Sequence, residues 1–156
     1  MIDTTHIHPI LVHFPIALLI VGFLFDIAGL FIQKEFFSKT GFYLLILGTI
    51  GVIAAYFTGN LAGGGITEQG MLKDALETHE EAAELTIWLV SITAVSRVLL
   101  VLLRKYKGPL KATVLVLFFA SVLAIGRTGY YGGELVYKHA AGVQLNLGFG
   151  LPAEDE

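Results

Sequence analysis

The sequence predicts an all-α integral membrane protein, a four-helix bundle with both termini on the periplasmic side, and three observations lead to this fold class. First, 55% of the 156 residues are hydrophobic, only 15% are charged, and the mean hydropathy is +0.75, whereas soluble domains carry roughly 25% charged residues. Second, four apolar segments each approach the ~20 residues that a helix needs to cross a bilayer. Third, basic residues gather in two short connections. The length suits one domain, which we place over residues 1–156.

The four predicted spans are joined by connections of different character. The first connection, 33–40, and the last, 104–111, are short, as expected between antiparallel neighbours. The second, 62–81, opens with three glycines and continues as MLKDALETHEEAAEL, which predicts a helical extension of the third span or a short surface helix joined to it. The spans themselves run over Ile10–Ile32, Gly41–Leu61, Ala82–Leu103 and Ala112–Tyr131.

The charges predict the orientation in the membrane. The side with the two short connections carries six Lys or Arg residues against one Glu, whereas the side with both termini carries two Lys residues against eleven carboxylates. Because Lys and Arg are enriched in short cytoplasmic loops, we expect a multi-pass protein of the bacterial inner membrane with its N- and C-termini outside.

All five histidines fall on the predicted outer side. His6, His8 and His13 lie at the start of the first span, His79 precedes the third span, and His139 follows the fourth. His79 also continues an apolar stripe with steps of three, four and seven residues, which is typical of the inward face of an amphipathic helix. We therefore expect four imidazoles, those of His8, His13, His79 and His139, to face the bundle interior.

Two prolines shape the start of the first span. Pro9 is predicted to be the first helical residue, where a missing N–H costs nothing. Pro15 then lies inside the helix and frees the carbonyl of Leu11, so a kink is expected that moves His13 relative to His8.

Haem is the cofactor that this pattern favours. The chain has no cysteine, which excludes disulfides, thiolate sites, iron–sulfur ligation and covalent c-type haem. Imidazole is a common axial ligand of haem iron, so the four inward histidines would serve two bis-histidine haems b, or one haem with further polar contacts. Arg127, beside Tyr130 and Tyr131, is the candidate partner of a propionate. Small residues would provide flat room between helices, namely Gly48, Gly51, Gly59, Gly126, Gly129 and Gly132.

Two other interpretations remain open at this point. A bare metal site could use His79 with Glu80 and Glu84, joined by His6 and His8, because imidazole and carboxylate bind Zn, Cu, Fe or Mn; the H-E-x-x-H motif is absent. Alternatively, the histidines are interfacial or hydrogen-bonded core residues with no ligand. No nucleophile–base constellation indicates an enzyme, so an electron carrier is favoured over a catalyst. The alternative function is an accessory or structural subunit of a membrane complex with a histidine-lined metal or proton site.

Asp26 and Arg97 are charged residues inside predicted spans. Asp26 lies eight residues before Lys34, and Arg97 lies seven before Arg104, so their depths match. We predict that the two side chains pair across the first and third helices, because an unpaired charge in lipid is costly. The pair is interpreted as structural, with a proton path as the alternative.

The expected partners follow from composition and charge. Lipid surrounds the spans, and the acidic outer surface would attract a basic periplasmic redox partner. The basic cluster is small and juxtamembrane, which is better explained by orientation than by nucleic-acid binding. Whether the chain forms a homo-oligomer or joins a larger complex is left open.

Four blocks carry a resemblance to a known family: HPILVHFPIALL (8–19), AAYFTGNLAG (54–63), the isolated His79, and GGELVYKHAAGVQL (132–145). They resemble a widespread bacterial family of small four-helix inner-membrane proteins catalogued as a domain of unknown function, with HPxLVHFP and GGxLVYxH motifs, and the match covers residues 6–145. The family is expected to keep histidines at the positions of His8, His13, His79 and His139, and some members accompany redox modules. The resemblance therefore implies a b-type haem protein that transfers electrons near the periplasmic face. His6 lies outside the motifs, and AAGV replaces the frequent GVGV.

Overall fold

Four long helices make up the protein in the computed structural model, which describes residues 4–63 and 70–141. They are α1 (Thr4–Ile32), α2 (Glu35–Gly63), α3 (Met71–Leu102) and α4 (Gly108–His139). Each is long and apolar enough to cross a membrane, and no strand occurs within the described ranges. The predicted all-helical membrane fold is confirmed, and the amphipathic stretch that begins at Met71 is continuous with the third span.

The helix ends follow local backbone chemistry. Gln33 ends α1 in the left-handed region, with φ 55°, and the Lys34 carbonyl accepts a bond of 3.1 Å from the N–H of Phe37 in the first turn of α2. Pro109 stands at the start of α4, where a missing N–H is tolerated. Ala140 ends α4 in the left-handed region, with φ 51°. Because α1 ends at Ile32 and α2 begins at Glu35, the connection between these two helices is only two residues long.

The first helix begins earlier than expected. Pro9 was predicted to be the first helical residue, but α1 starts at Thr4 and contains both Pro9 and Pro15. The carbonyl that Pro9 leaves without its helical N–H partner is that of Thr5, in the first turn, close to the end of the helix. A proline there costs little, so the helix extends past it.

The bundle consists of two helical hairpins. The first hairpin pairs α1 with α2, the second pairs α3 with α4, and the ring is closed by less extensive contacts of α2 with α3 and of α1 with α4. A fully buried core lies where they meet, and it includes Leu19, Leu45, Val90 and Phe118. The short turns 33–34 and 103–107 lie at one end of the bundle, which we call the basic end. The opposite end, where α1 and α3 begin and α2 and α4 end, is the histidine end.

Glycines allow the two helices of the first hairpin to approach closely. A Cβ at Gly48 would lie 2.7 Å from Cδ2 of Leu19, and a Cβ at Gly51 would lie 3.1 Å from Cβ of Pro15. Small residues let membrane helices pack backbone against backbone, which strengthens dispersion contacts. The second hairpin uses hydroxyl groups instead. Thr86 and Thr128 are joined by a bond of 2.9 Å, and Thr93 and Ser121 by one of 3.1 Å.

Replacing Gly48 with alanine is expected to destabilise the protein by about 1–3 kcal/mol, because the new methyl group overpacks a fully buried neighbour. Gly126→Ala is the matched control. No atom of residues 4–63 or 70–141 lies within 4 Å of a Cβ at that position, and alanine favours helix by up to about 1 kcal/mol over glycine. Thermal unfolding in detergent compares the two variants. Equal stability of both would contradict the close α1–α2 interface.

One ion pair crosses the core near the basic end. The guanidinium of Arg97 on α3 binds both carboxylate oxygens of Asp26 on α1, the Nη2–Oδ1 bond being 2.7 Å, and Nη2 also donates to the Ser38 carbonyl at 2.8 Å. Both side chains are fully buried. The predicted pairing is confirmed. The guanidinium also lies 4.9 Å from the ring centroid of Tyr106, whose burial raises its pKa to about 12, so the phenol stays neutral.

Candidate functional site

His8 is held against the second helix by its Nδ1 atom. Nδ1 lies 3.0 Å from the Ala55 carbonyl oxygen and 3.2 Å from Oγ1 of Thr58. A carbonyl only accepts, so Nδ1 carries the hydrogen and donates it. The ring lies flat against Gly59, where a Cβ would come within 3.0 Å of Cε1. Nε2 is therefore the unprotonated nitrogen of the neutral ring.

His79 is held in the same way on the other hairpin. Its Nδ1 donates to the Thr128 carbonyl on α4 at 3.2 Å, and a Cβ at Gly132 would lie 3.2 Å from Cε1. The position of Thr128 is fixed in turn, because its hydroxyl donates to the Ala82 carbonyl at 2.9 Å. In both half-buried rings Nδ1 thus donates to a backbone carbonyl. Neither Nε2 has a hydrogen-bond partner within the described residues.

The structure places His8 and His79 at the same end of the bundle. They stand on α1 and α3, which belong to different hairpins. Each ring rests on the partner helix of its own hairpin. Both rings therefore lie at the histidine end of the bundle, one on each hairpin.

His13 was expected to face the interior, and this expectation was wrong. The ring is exposed, and Nδ1 donates to the Pro9 carbonyl of the same helix at 2.7 Å. The reason is helical phase. His13 follows His8 by five residues, or about 140° around the helix axis, whereas Pro15 and Leu19 continue the buried stripe of α1.

His139 and Arg127 lie outside this pair. His139 is the last residue of α4, half-buried, and stands seven residues beyond Gly132 on the same face, about 10 Å along the axis. Arg127 is exposed, and its guanidinium lies 5.3 Å from the ring centroid of Tyr131. The structure does not bring Arg127 to the two imidazoles. His6 belongs to α1, but its side chain is outside the described residues.

The glycines have different roles from the one expected. Those of α2 were predicted to leave flat room for a cofactor, but side chains of α1 fill the space: Leu19 at Gly48, Pro15 at Gly51 and the His8 ring at Gly59. The prediction was wrong for these positions because the hairpin uses them for its own packing. On α4 the space is more open, since Cδ1 of Ile16 is the one atom of the described residues within 4 Å of a Cβ at Gly129.

Sequence reasoning missed the groups that orient the rings. Thr58 and the carbonyls of Ala55 and Thr128 fix both imidazoles, yet only the histidines were singled out. A usable signal existed for Thr58, because AAYFTGNLAG places a threonine hydroxyl at the depth of His8. Backbone carbonyls leave no such signal, since every residue has one.

The number of protein ligands limits what this site can bind. Among residues 4–63 and 70–141, apart from the His6 side chain, no three His, Asp or Glu residues are grouped so that they could hold a metal ion. Bare Zn²⁺ sites usually have three or four protein ligands. A pair of imidazoles matches the two axial positions of haem iron, because the porphyrin supplies the other four nitrogens.

Comparison with known proteins agrees with the fold. The family model described as "Predicted membrane protein (DUF2231)" matches residues 4–145, which includes all four helices. No curated protein and no solved structure shows significant similarity to the chain.

Proposed function

The chain belongs to the DUF2231 family of predicted membrane proteins, and on that premise we propose that it holds one haem b between His8 and His79 and carries electrons near the periplasmic face. One observation carries the proposal: two imidazoles from different hairpins stand at the same end of the bundle, with their Nδ1 atoms bonded to backbone carbonyls and their Nε2 atoms unpaired within the described residues.

The donor chemistry fits haem. Histidines that bind metal usually donate their other ring nitrogen to a carbonyl or carboxylate, which fixes the tautomer and the ring orientation. Ala55 and Thr128 provide such carbonyls here. When bound, haem supplies a one-electron ferric/ferrous couple whose potential depends on axial ligands and burial. Of the one or two haems expected from four histidines, one is favoured, because His13 faces outward.

The residues around the rings have two roles. The carbonyls and Thr58 hold each imidazole in one orientation, which limits the reorganisation that accompanies electron transfer. Partial burial of each ring against the partner helix of its hairpin lowers the local dielectric relative to water. The more open face of α4 near Gly129 is where a flat group would enter between the two hairpins. His139 and Arg127 remain candidates for polar contacts at the edge of the haem, outside its axial positions.

Purification from a haem-supplemented host tests the function. The protein is expected to show a Soret band, to give sharp α and β bands when dithionite is added, and to reoxidise in air. A pyridine haemochrome assay should give about one haem b per chain. A colourless protein that also fails to bind added haemin would contradict the proposal.

The second candidate function is an accessory subunit of a membrane complex, with histidines lining a metal or proton site. The geometry favours it less, because the described residues offer two imidazoles and no third ligand. Zinc or copper in stoichiometric amount by elemental analysis, without haem, would support it.

The proposed orientation places the basic end in the cytoplasm and the histidine end in the periplasm. The native chain has no cysteine, so Lys107→Cys and Ala140→Cys each introduce a single thiol at opposite ends. In intact cells, a membrane-impermeant maleimide is expected to label Ala140→Cys and to label Lys107→Cys only after lysis. The reverse pattern would overturn the orientation.

An acidic surface at the histidine end supports a basic periplasmic redox partner. Glu80, Glu81 and Glu84 on α3 are exposed beside the His79 turn. Such a surface attracts a cationic protein electrostatically, and added salt shortens the range of this attraction.

A further inference from the structure

A recess of about 350 Å³ lies at the basic end, far from the histidine pair. It is formed where the α1–α2 turn meets the start of α4, and Gln33, Lys34, Ser38 and Lys111 are among its lining residues. The Ser38 carbonyl is already occupied by Arg97. The recess therefore lies above the buried ion pair and is separate from the proposed haem site.

Two lysines line the recess without an ion-pair partner among the described residues. Lys34 is exposed and Lys111 is half-buried, and neither forms an ion pair or a hydrogen bond there. Glu35 also lines the recess, but it pairs with Lys39 at 3.0 Å. The Lys111 ammonium lies 6.0 Å from the ring centroid of Tyr106.

The surroundings of the recess indicate which anion it suits. Leu30 lines it and is 42% exposed, and the neighbouring Phe31 is 80% exposed. In a membrane, these apolar side chains face acyl chains at the level where headgroups begin. A phosphodiester joined to an acyl chain contacts both the lysines and this apolar rim, whereas free phosphate contacts only the lysines.

We propose that this recess binds the phosphate of an anionic phospholipid, with Lys34 and Lys111 contacting the phosphate oxygens and an acyl chain lying along Leu30. The proposal depends on the basic end alone and is independent of haem binding. It assigns a lipid-binding site to the turn between α1 and α2.

Native mass spectrometry of the full chain in detergent tests the site. With phosphatidylglycerol and phosphatidylcholine added at equal concentration, phosphatidylglycerol is expected to be retained preferentially. Lys34→Gln with Lys111→Gln is expected to weaken phosphatidylglycerol binding about 25-fold, or about fivefold for each lysine. The matched control is Lys105→Gln with Lys107→Gln, which removes the same charge from the same end outside the recess and should change binding little.

Three results would overturn the proposal. Equal losses of phosphatidylglycerol binding in the two double variants would mean that the lipid responds to the overall positive charge of the basic end and not to the recess. Equal retention of the two lipids by the wild type would show no preference for an anionic headgroup. Displacement of phosphatidylglycerol by inorganic phosphate at the same concentration would assign the recess to a free anion.

Discussion

Replacement of either His8 or His79 by alanine is expected to abolish the low-spin haem spectrum, whereas replacement of His13 should leave it unchanged. Each of the first two variants removes one of the two imidazoles proposed to bind the iron. Iron with a single strong axial ligand becomes high-spin or loses the haem, so the sharp α band of the reduced protein should disappear. His13 is exposed on another face of α1.

His13→Ala is the matched control for this prediction, because it removes an imidazole from the same helix and the same end of the bundle. Visible spectra of the three purified variants, oxidised and reduced, give the comparison, and circular dichroism checks that each remains helical. A wild-type spectrum in both His8→Ala and His79→Ala would refute the ligand assignment. Loss of the haem spectrum in His13→Ala alone would assign the haem ligand to the exposed face of α1 that carries His13.

The largest effect on stability is expected at the buried ion pair. Asp26→Ala leaves the Arg97 guanidinium fully buried without its carboxylate, which should destabilise the protein by about 3–5 kcal/mol. Arg97→Ala should cost a similar amount, because Asp26 would then be the uncompensated charge. The double variant Asp26→Leu with Arg97→Met should recover most of the loss, since paired apolar replacements leave no charge in the core.

Unfolding in mixed detergent micelles measures these stabilities. The exposed pair between Glu35 and Lys39, with an N–O distance of 3.0 Å, supplies the control. Glu35→Gln should change stability by less than about 0.5 kcal/mol, because exposed helical pairs contribute little. If Asp26→Ala were as mild as Glu35→Gln, the pair would not hold the two hairpins together.

Depth in the membrane was predictable from the sequence. The four spans follow from apolar length, and the pairing of Asp26 with Arg97 follows from counting residues to the basic turns. Both inferences need only position along the membrane normal, which a rise of 1.5 Å per residue converts directly into distance. The family resemblance likewise followed from motifs that the sequence contains intact.

Rotation about each helix axis was not predictable in the same way. Lipid and bundle core accept the same apolar side chains, so most of α1 gave no sign of which stripe was buried. Asp26 was used only for its depth, although it stands five full turns after His8 and so marks the same face. His8 and His13 therefore looked equivalent, although they stand about 140° apart. The glycines of α2 were ambiguous for the same reason, since a gap for a cofactor and a close helix contact require the same residue.

Electron paramagnetic resonance of the oxidised, haem-loaded protein tests the central claim most directly, because the ferric signal reports the axial ligands. Coordination by His8 and His79 predicts a low-spin signal typical of two imidazoles, which becomes high-spin or vanishes in each single alanine variant. A high-spin signal in the wild type, or a low-spin signal that survives in the variant lacking both residues, would contradict the claim that these two rings bind the iron.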